Sequence, residues 1–271
     1  MALEHAAPGR KAPSRLSVAA LRSAEALRSD EVEVIADHLY SYNSIPISPE
    51  WQSRLANRSG IEQALGLSSH SELRSTLEVN WLQLPSSAVS GWLTWLGRGS
   101  GLELGGGGPE FKLYVSPAVE SLENVFPELV RALTSSRARS FKAGADSVGL
   151  LRPDKLVAYF SDIGDLASVA YELERRLAGV VAQGVPFTAE ISSDGLLSWG
   201  VDPPTRSSAR GRRAPSWREW ICIRLAMALV EARQEEDGTE PLWPLAVKRL
   251  EDDGIQVDRW LPSPQLWRYP P

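Results

Sequence analysis

The stretch FKLYVSPAVESLENVFPELVRAL, residues 111–133, decides the fold, because a strand-like run is followed directly by a helical one. Residues 111–116 have the two-residue alternation of a β-strand. Ser116 and Pro117 then predict the N-cap and the first turn of a helix. The apolar face of that helix is predicted to consist of Val119, Leu122, Phe126, Leu129, Val130 and Leu133.

The alternation of strands and helices continues toward the C-terminus. Residues 140–145 and 155–160 are predicted strands, and a helix capped near Asp162 follows the second one. The segments PFTAEI and LLSWGV predict a hairpin whose turn lies at residues 193–195. We therefore predict an α+β protein with a central, mostly antiparallel sheet and packed helices.

The regions on either side of this core are predicted to be mainly helical. The N-terminal elements are helices within 16–43, 51–65 and 70–78 and a hairpin between Trp81 and Leu104. After a loop at 203–215, Ser216 and Glu219 have the spacing of a capping box, and a last helix is predicted at 241–252.

These elements divide the chain into four predicted regions. They are a flexible arm at 1–15, a helical region with a hairpin at 16–104, an α+β core at 109–204, and a C-terminal region at 205–271. The last region contains an Arg-rich loop, helices and a tail rich in proline and tryptophan that is expected to pack on the core.

Composition excludes several classes of protein. The 271 residues are 43% hydrophobic and 23% charged, as in ordinary globular chains. A net charge of −5 argues against a duplex-DNA-binding protein, and no RNA-binding motif is present. Cys222 is the only cysteine and the three histidines are scattered, so neither an internal disulfide nor a metal site is expected. Without a membrane-length apolar run or a secretory signal, we expect a cytoplasmic protein that does not bind membranes.

Basic side chains inside apolar segments are the main candidates for a functional site. Strand alternation places Lys112 and Tyr114 on one face, Lys142 follows Phe141 in a second strand, and Arg152 lies in the loop LLRPDK. Burying such cations is costly unless a partner compensates them, and a bound phosphate would compensate several at once. The alternative is that each side chain extends to solvent at a strand end.

Other features carry less chemistry. The run Gly105–Gly108 lacks the Lys-Ser/Thr of a P-loop and is interpreted as a loop. Cys222 is interpreted as a buried, unreactive thiol, and Asp194 and Asp202 as turn formers beside the hairpin. A second basic cluster could close over a phosphate or an acidic peptide, or could be a solvated loop. It consists of Arg206, Arg210, Arg212 and Arg213.

The order FKLYVS, SFKAG, LLRPDKLVAYF resembles a known family. Residues 109–204 are similar to the lyase domain of lanthipeptide synthetases and to the phosphothreonine lyases and related effectors of type III secretion. In that family a strand with Lys-x-His-x-Ser precedes a helix, a strand with Phe-Lys, an Arg-bearing loop and a strand with Tyr. The resemblance rests on order and spacing, with few identities.

The resemblance implies a role for each matching residue. Lys142 would remove the α-proton of a phosphorylated residue, for which its pKa must be lowered by burial and neighbouring cations. Lys112 and Arg152 would hold the phosphate and stabilise the leaving group. Tyr159 matches a tyrosine at the family's active site. Tyr114 replaces the histidine that protonates the phosphate, and with an ordinary pKa near 10 it is a weaker acid.

The function implied is a stand-alone lyase that converts phosphoserine or phosphothreonine of a precursor peptide into a dehydroamino acid, as in bacterial lanthipeptide biosynthesis. The chain has no kinase signature and no zinc-site cysteines, so a kinase, and a cyclase where one is needed, would act in trans. No cofactor is required. Because the histidine is missing, an inactive peptide-binding or scaffolding subunit remains the alternative. A barrel that binds diphosphate is a third one, although it needs more strand pairs than the sequence shows.

Overall fold

The computed structural model describes residues 13–67, 72–85, 91–98, 110–202, 215–235, 241–263 and 266. Within these ranges the helices are α1 (Arg15–Glu25), α2 (Val32–Ser41), α3 (Pro49–Arg54), α4 (Arg58–Ala64), α5 (Glu72–Asn80), α6 (Leu122–Thr134), α7 (Ser147–Leu151), α8 (Ile163–Arg176), α9 (Trp217–Glu235) and α10 (Trp243–Asp252). The strands are β1 (Trp81–Gln83), β2 (Trp92–Gly97), β3 (Glu110–Val115), β4 (Ser140–Gly144), β5 (Leu156–Phe160), β6 (Ala189–Glu190), β7 (Leu197–Asp202), β8 (Ile255–Gln256) and β9 (Leu261–Pro262). The predicted glycine loop at 105–108 lies outside the described residues.

Seven strands form one antiparallel sheet in the order β1-β2-β4-β5-β3-β7-β6. The predicted α+β fold with an antiparallel sheet is thus confirmed. The described sheet is open, with β1 and β6 at its edges, so the barrel alternative is wrong. Because β2 pairs with β4, and β1 with β2, the sheet includes two strands that precede residue 109 in the sequence.

One face of the sheet forms the main hydrophobic core. Alternate strand residues point to this face and pack against α6 and α8, which contact each other. Trp95 stacks on Phe141 with ring centroids 4.8 Å apart. The fully buried members from β3, β4, β5, α6 and α8 include Leu113, Val115, Phe141, Ala158, Phe160, Phe126, Leu129, Leu166 and Leu173. This apolar layer fixes which face of each strand is left for other groups.

The two ends of the chain form a second hydrophobic cluster together. Helices α1, α2, α9 and α10 contribute its residues, and α9 also contacts β7. Trp217 and Trp260 are completely buried there, and Trp217 Nε1 donates to the Trp260 carbonyl over 2.6 Å. Helices from both ends therefore lie beside the sheet face that is opposite α6 and α8. None of the described helices is long and apolar enough to cross a bilayer.

Local signals are confirmed at three sites and wrong at one. Asp162 caps α8, Ser216 and Glu219 make both capping-box hydrogen bonds, and Gly195 has the positive φ of +81° that the hairpin turn needs. Ser116 does not cap a helix. Its hydroxyl instead donates to the Pro153 carbonyl over 2.6 Å, a contact between distant parts of the chain. Helix α6 begins only after a 3₁₀ turn at Val119–Ser121.

Lys155 is a buried cation at the start of β5. Its side chain is completely buried, and Nζ donates to the Pro117 carbonyl over 2.9 Å and to the Gln183 side chain. Burial lowers the pKa of this ammonium from 10.5 to about 7. Between these two values the folded protein holds a neutral amine while the unfolded chain still binds the proton.

We expect the free energy of unfolding to rise with pH from about 7 to about 10, by up to roughly 4 kcal/mol, because the unfolded state binds more protons there. Below pH 7 the proton is bound in both states and the cost of burying the ammonium is present in full. Urea unfolding at a series of pH values should show this slope in the wild type and a shallower slope in Lys155→Met. Lys248→Met, at an exposed position on α10, serves as the control. Equal slopes in all three proteins would contradict the assignment.

Candidate functional site

Strand register brings the predicted site residues of three strands to one face of the sheet. Lys112 pairs with Tyr159, Tyr114 pairs with Val157, and Val157 pairs on its other side with Lys142. Directly paired residues in an antiparallel sheet point to the same face. This face is opposite the α6 and α8 layer, so the alternation that buries Phe141 and Leu113 in the core directs both lysines away from it.

Arg152 reaches the same face from the end of α7. Asp146 caps that helix by accepting from the Gly149 amide over 2.7 Å. Gly144 at the end of β4 packs directly on Gly149, and a Cβ atom on Gly144 would lie 2.3 Å from the Gly149 carbonyl carbon. Only glycine allows this approach, which sets α7 against β4 and places Arg152 beside the strand that carries Lys142.

These residues line one cavity of about 490 Å³. Two lysines and an arginine from separate segments share it, together with aromatic residues and four residues of the C-terminal region. Its lining consists of Tyr40, Trp92, Lys112, Tyr114, Lys142, Arg152, Asp154, Val157, Tyr159, Pro215, Ser216, Glu219 and Ile223. Of the eight candidates predicted as catalytic or phosphate-binding, five therefore lie together. The other three, Arg210, Arg212 and Arg213, fall with Arg206 outside the described residues.

Aromatic rings separate and orient the two ammonium groups. The Lys112 Nζ lies 5.4 Å and the Lys142 Nζ 5.9 Å from the centroid of the Tyr159 ring. The Lys142 Nζ also lies 3.7 Å from the Trp92 ring centroid. Cation–π contacts of this kind hold the two side chains in place. Tyr159 thus spaces the two cations.

Arg152 is held by a carboxylate and a phenol. Its Nε and Nη2 atoms each donate to Asp154 over 2.8 Å, which is a bidentate pair, and Nη2 donates to the Tyr40 hydroxyl over 3.1 Å. The Tyr40 hydroxyl in turn donates to Asp154 over 3.3 Å. These contacts fix the plane of the guanidinium at the cavity wall and leave Nη1 without a hydrogen-bond partner among the described residues.

Arg218 supports this group from the first turn of α9 and is only 1% exposed. It donates to Asp154 over 3.2 Å, to the Pro186 carbonyl over 3.1 Å and to the Tyr40 carbonyl, and its guanidinium lies 4.4 Å from the Tyr40 ring centroid. Burial alone would raise the pKa of the Asp154 carboxyl, but Arg218 and Arg152 outweigh it and lower that pKa to about 2. Asp154 is therefore a permanent anion.

Lys112 also has a carboxylate partner. Lys112 is only 4% exposed, and its ammonium group forms an ion pair with Asp202. Asp202 accepts in addition from the Trp217 amide over 2.9 Å, which ties β7 to the start of α9. The prediction that Asp202 forms a turn is therefore wrong, because the pairing of β3 with β7 brings it to Lys112. Asp194 does form the turn, accepting from the Leu196 amide over 2.9 Å.

Tyr114 lines the cavity beside Lys112 but has unfavourable electrostatics for donating a proton. Burial and the Asp202 carboxylate raise the pKa of its phenol well above 10. It therefore stays neutral over the physiological range and is a weaker acid than a free tyrosine. Its hydroxyl remains suited to donating a hydrogen bond without giving up the proton.

Sequence reasoning missed Asp154, Arg218, Tyr40 and Trp92. Asp154 had a usable signal, since it stands two residues after Arg152 in a short loop. Arg218 had none, because a charged residue in the first helical turn is usually exposed. Tyr40 lies among the apolar residues of its helix, where a tyrosine usually belongs to the core. The interpretation of Cys222 is confirmed: it is 1% exposed, and burial raises the pKa of its thiol to about 12.

Comparison with known proteins shows that this fold is similar to that of a solved protein. No protein-family model matches the chain, and no curated protein is significantly similar in sequence. A solved effector protein from Pseudomonas syringae pv. tomato strain DC3000 superposes with a TM-score of 0.52 at 13% identity, over 91% of this chain and 95% of the effector. The fold is similar to that of this effector.

Two further solved structures align over most of their length. The effector protein from Pseudomonas syringae pv. syringae strain 61 gives a TM-score of 0.49 at 10% identity, over 92% of this chain and 98% of the effector. A structure that shows the basis of the catalytic mechanism of phosphothreonine lyase gives 0.36 at 14% identity, over 87% and 98%. Similarities at this level do not determine a function, which has to be argued from the site.

Proposed function

We propose that this protein is a phosphoserine or phosphothreonine lyase that acts on peptides. The observation that carries the proposal is the single cavity lined by Lys112, Lys142 and Arg152. Lys112 is buried and Lys142 and Arg152 are half-buried around one space, and a phosphate that enters it can accept hydrogen bonds from several of them at once. The cavity also has the size and the mixed apolar and polar lining of a ligand site.

The proposed reaction is a β-elimination. Lys142, as the free amine, takes the proton from the Cα atom of the phosphorylated residue and becomes an ammonium group. The electron pair of that bond forms a Cα–Cβ double bond, and the bond from Cβ to the phosphate oxygen breaks. The products are a dehydroalanine or dehydrobutyrine residue and inorganic phosphate, which carries the electron pair away.

Lys112 and Arg152 are proposed to stabilise the departing phosphate. Both are oriented before substrate binds, Lys112 by Asp202 and Arg152 by Asp154 and Tyr40. Such preorganised cations in a partly buried site reduce the charge on the leaving group without rearrangement during the reaction. The guanidinium of Arg152 and the ammonium of Lys112 both line the cavity, so the phosphate can contact two positive groups from different strands and loops.

Tyr114 is proposed to donate a hydrogen bond and not a proton. Its phenol is held neutral by burial and by Asp202, so the missing histidine is compensated by cations and not by an equivalent acid. Phosphate is a stable leaving group as an anion when its charge is compensated, which makes a strong acid dispensable. The elimination can therefore proceed at this site without the histidine of the related lyases.

The substrate is proposed to be a precursor peptide, as in lanthipeptide-like modification, and a separate kinase is proposed to phosphorylate it. Support comes from the resemblance of residues 109–204 and from the cavity lining, which combines sheet residues with residues of α2 and α9. Of these lining elements, none supplies the parts of a kinase active site, so phosphorylation is assigned to a partner.

The second candidate is a phosphopeptide-binding subunit without catalysis. The buried, weakly acidic phenol of Tyr114 favours it, because binding needs the cations but no proton transfer. The two candidate functions are distinguished by the dehydroamino acid product, because a binding subunit leaves the phosphopeptide unchanged.

The deciding experiment incubates the protein with phosphothreonine and phosphoserine peptides and follows the product by mass spectrometry and the released phosphate by colorimetry. Lyase activity gives loss of phosphoric acid and a dehydroamino acid. A product with its hydroxyl restored would mean hydrolysis, and an unchanged peptide that still binds would favour the second candidate.

The same assay distinguishes the proposed role of Lys112 from that of Tyr114. We expect Lys112→Met to lower the elimination rate by about 10²-fold or more, because a cation at the leaving group is lost. Tyr114→Phe should cost about 10-fold or less, the value of one neutral hydrogen bond. The double variant Lys112→Met/Asp202→Asn controls for the carboxylate left unpaired in the single variant. A loss in Tyr114→Phe as large as that in Lys112→Met would make Tyr114 the acid.

A further inference from the structure

An apolar groove adjoins the cation cavity and shares a wall with it. The groove measures about 370 Å³ and runs between the end of α2, the following loop and α7. Tyr40 and Arg152 line both spaces. Its other lining residues are Ser41, Ser44, Ile45, Pro46, Ile47, Val148 and Leu151, so Arg152 is the only charged group among the described residues that line it.

Two of the most exposed apolar side chains of the described chain lie on this groove. Ile47 is 50% and Val148 57% exposed, one on each side. Scattered exposed apolar residues are normal, but two that face one concave surface beside a charged site indicate a binding surface. Since Arg152 is already turned toward Asp154 and Tyr40, the groove presents little to attract a charged side chain.

The walls of the groove are fixed in place by hydrogen bonds. The Ile45 amide donates to the Leu151 carbonyl over 2.9 Å, which joins the loop to α7. Asn43, at a φ of +69°, donates to the Gln183 carbonyl over 2.6 Å, and the Gln183 side chain donates to Leu151 over 3.2 Å. A groove held this way is preformed, which lowers the entropic cost of filling it.

When a phosphorylated residue of a peptide occupies the cation cavity, the peptide chain on its two sides must leave the cavity in two directions. The shared residues Tyr40 and Arg152 make the groove one continuation of the cavity. We propose that this groove binds an apolar side chain of the substrate peptide, close in sequence to the phosphorylated residue. This inference rests on the proposed function and adds to it the class of substrate: a phosphopeptide with a large aliphatic or aromatic neighbour.

The test compares phosphothreonine peptides that carry Leu or Ser at successive positions on both sides of the phosphorylated residue. Binding is followed by fluorescence anisotropy in the Lys142→Arg background, so that peptide is not consumed, and KM is measured in the wild type. At one position, Leu should improve binding by about 10-fold over Ser, the usual range for one apolar side chain entering a pocket.

Variants of groove residues test whether the preference for Leu over Ser arises in the groove. In Ile47→Asp and in Val148→Asp the advantage of Leu should disappear, while affinity for the all-Ser peptide should change by no more than about twofold. Val79→Asp, at a position that is 71% exposed on α5, is the matched control and should keep the full preference.

The outcomes separate the groove from the function it depends on. If no phosphopeptide binds, the proposed phosphate site is wrong and the groove assignment falls with it. If phosphopeptides bind and lose phosphate equally well with Leu or Ser at every position, only the groove assignment is wrong. If the aspartate variants change the oligomeric state in sedimentation and leave the Leu preference intact, the groove is a contact between copies of this chain.

Discussion

Replacing Lys142 with alanine is expected to lower the rate of phosphate elimination by about 10³-fold, the usual value of a general base that takes a proton from carbon or oxygen in the transition state. In the structure Lys142 faces the same cavity as Lys112 and Arg152, and its Nζ lies over the Trp92 ring. Alanine removes the amine that takes the α-proton in the proposed reaction. The measurement is phosphate release from a phosphothreonine peptide under single-turnover conditions.

Lys142→Arg distinguishes the base from a cation that only binds. Arginine keeps the positive charge but stays protonated at any physiological pH, so it can hold phosphate and cannot accept a proton. We expect this variant to bind the phosphopeptide within a few-fold of the wild type and to lose elimination as Lys142→Ala does. Lys248→Ala, on the exposed side of α10, is the charge control. Retained elimination in Lys142→Arg would remove Lys142 from the role of base.

Removing Asp154 is expected to have the largest effect on stability, about 3–5 kcal/mol in Asp154→Ala. Asp154 is the common anion of Arg152 and Arg218, and Arg218 is almost completely buried. Taking the carboxylate away leaves a guanidinium in the interior without a counter-charge, which costs more than the lost contact itself. Chemical denaturation monitored by tryptophan fluorescence would give the free energy of unfolding.

Two comparisons show whether the loss comes from the uncompensated charge. Asp154→Ala/Arg218→Met should recover part of the stability, because the buried cation is removed as well. Asp253→Ala breaks the exposed pair with Arg224 and should change stability by no more than about 0.5 kcal/mol. A double variant as unstable as the sum of its single variants would contradict the explanation.

The pH dependence of the same contact has a defined direction. The pKa of Asp154 is lowered from 3.8 to about 2 by its arginine partners. Its contribution to stability is therefore complete above the unfolded value of 3.8 and is lost as the pH falls toward 2, where the carboxylate takes up a proton. This loss and the gain expected from Lys155 above pH 7 concern adjacent residues but separate pH ranges.

Local sequence patterns were sufficient for the strands and for part of the site. Alternation in residues 111–116 placed Lys112 and Tyr114 on one face, and the strand predicted at 140–145 contains Lys142. These predictions succeed because the period of a strand is a property of neighbouring residues. The cap predicted at Ser116 failed, since its hydroxyl bonds to a carbonyl 37 residues away.

The amino-acid sequence by itself determined the α+β class, the strands that carry Lys112 and Lys142, and the face that Lys112 shares with Tyr114. The tertiary structure alone decided that β5 lies between β3 and β4, so that Tyr159 separates the two lysines. It also decided that Arg152 meets Tyr40 across 112 residues and that Asp154 meets Arg218 across 64. The physical reason is that side-chain period is set locally, whereas strand order and the pairing of buried charges depend on packing between distant segments.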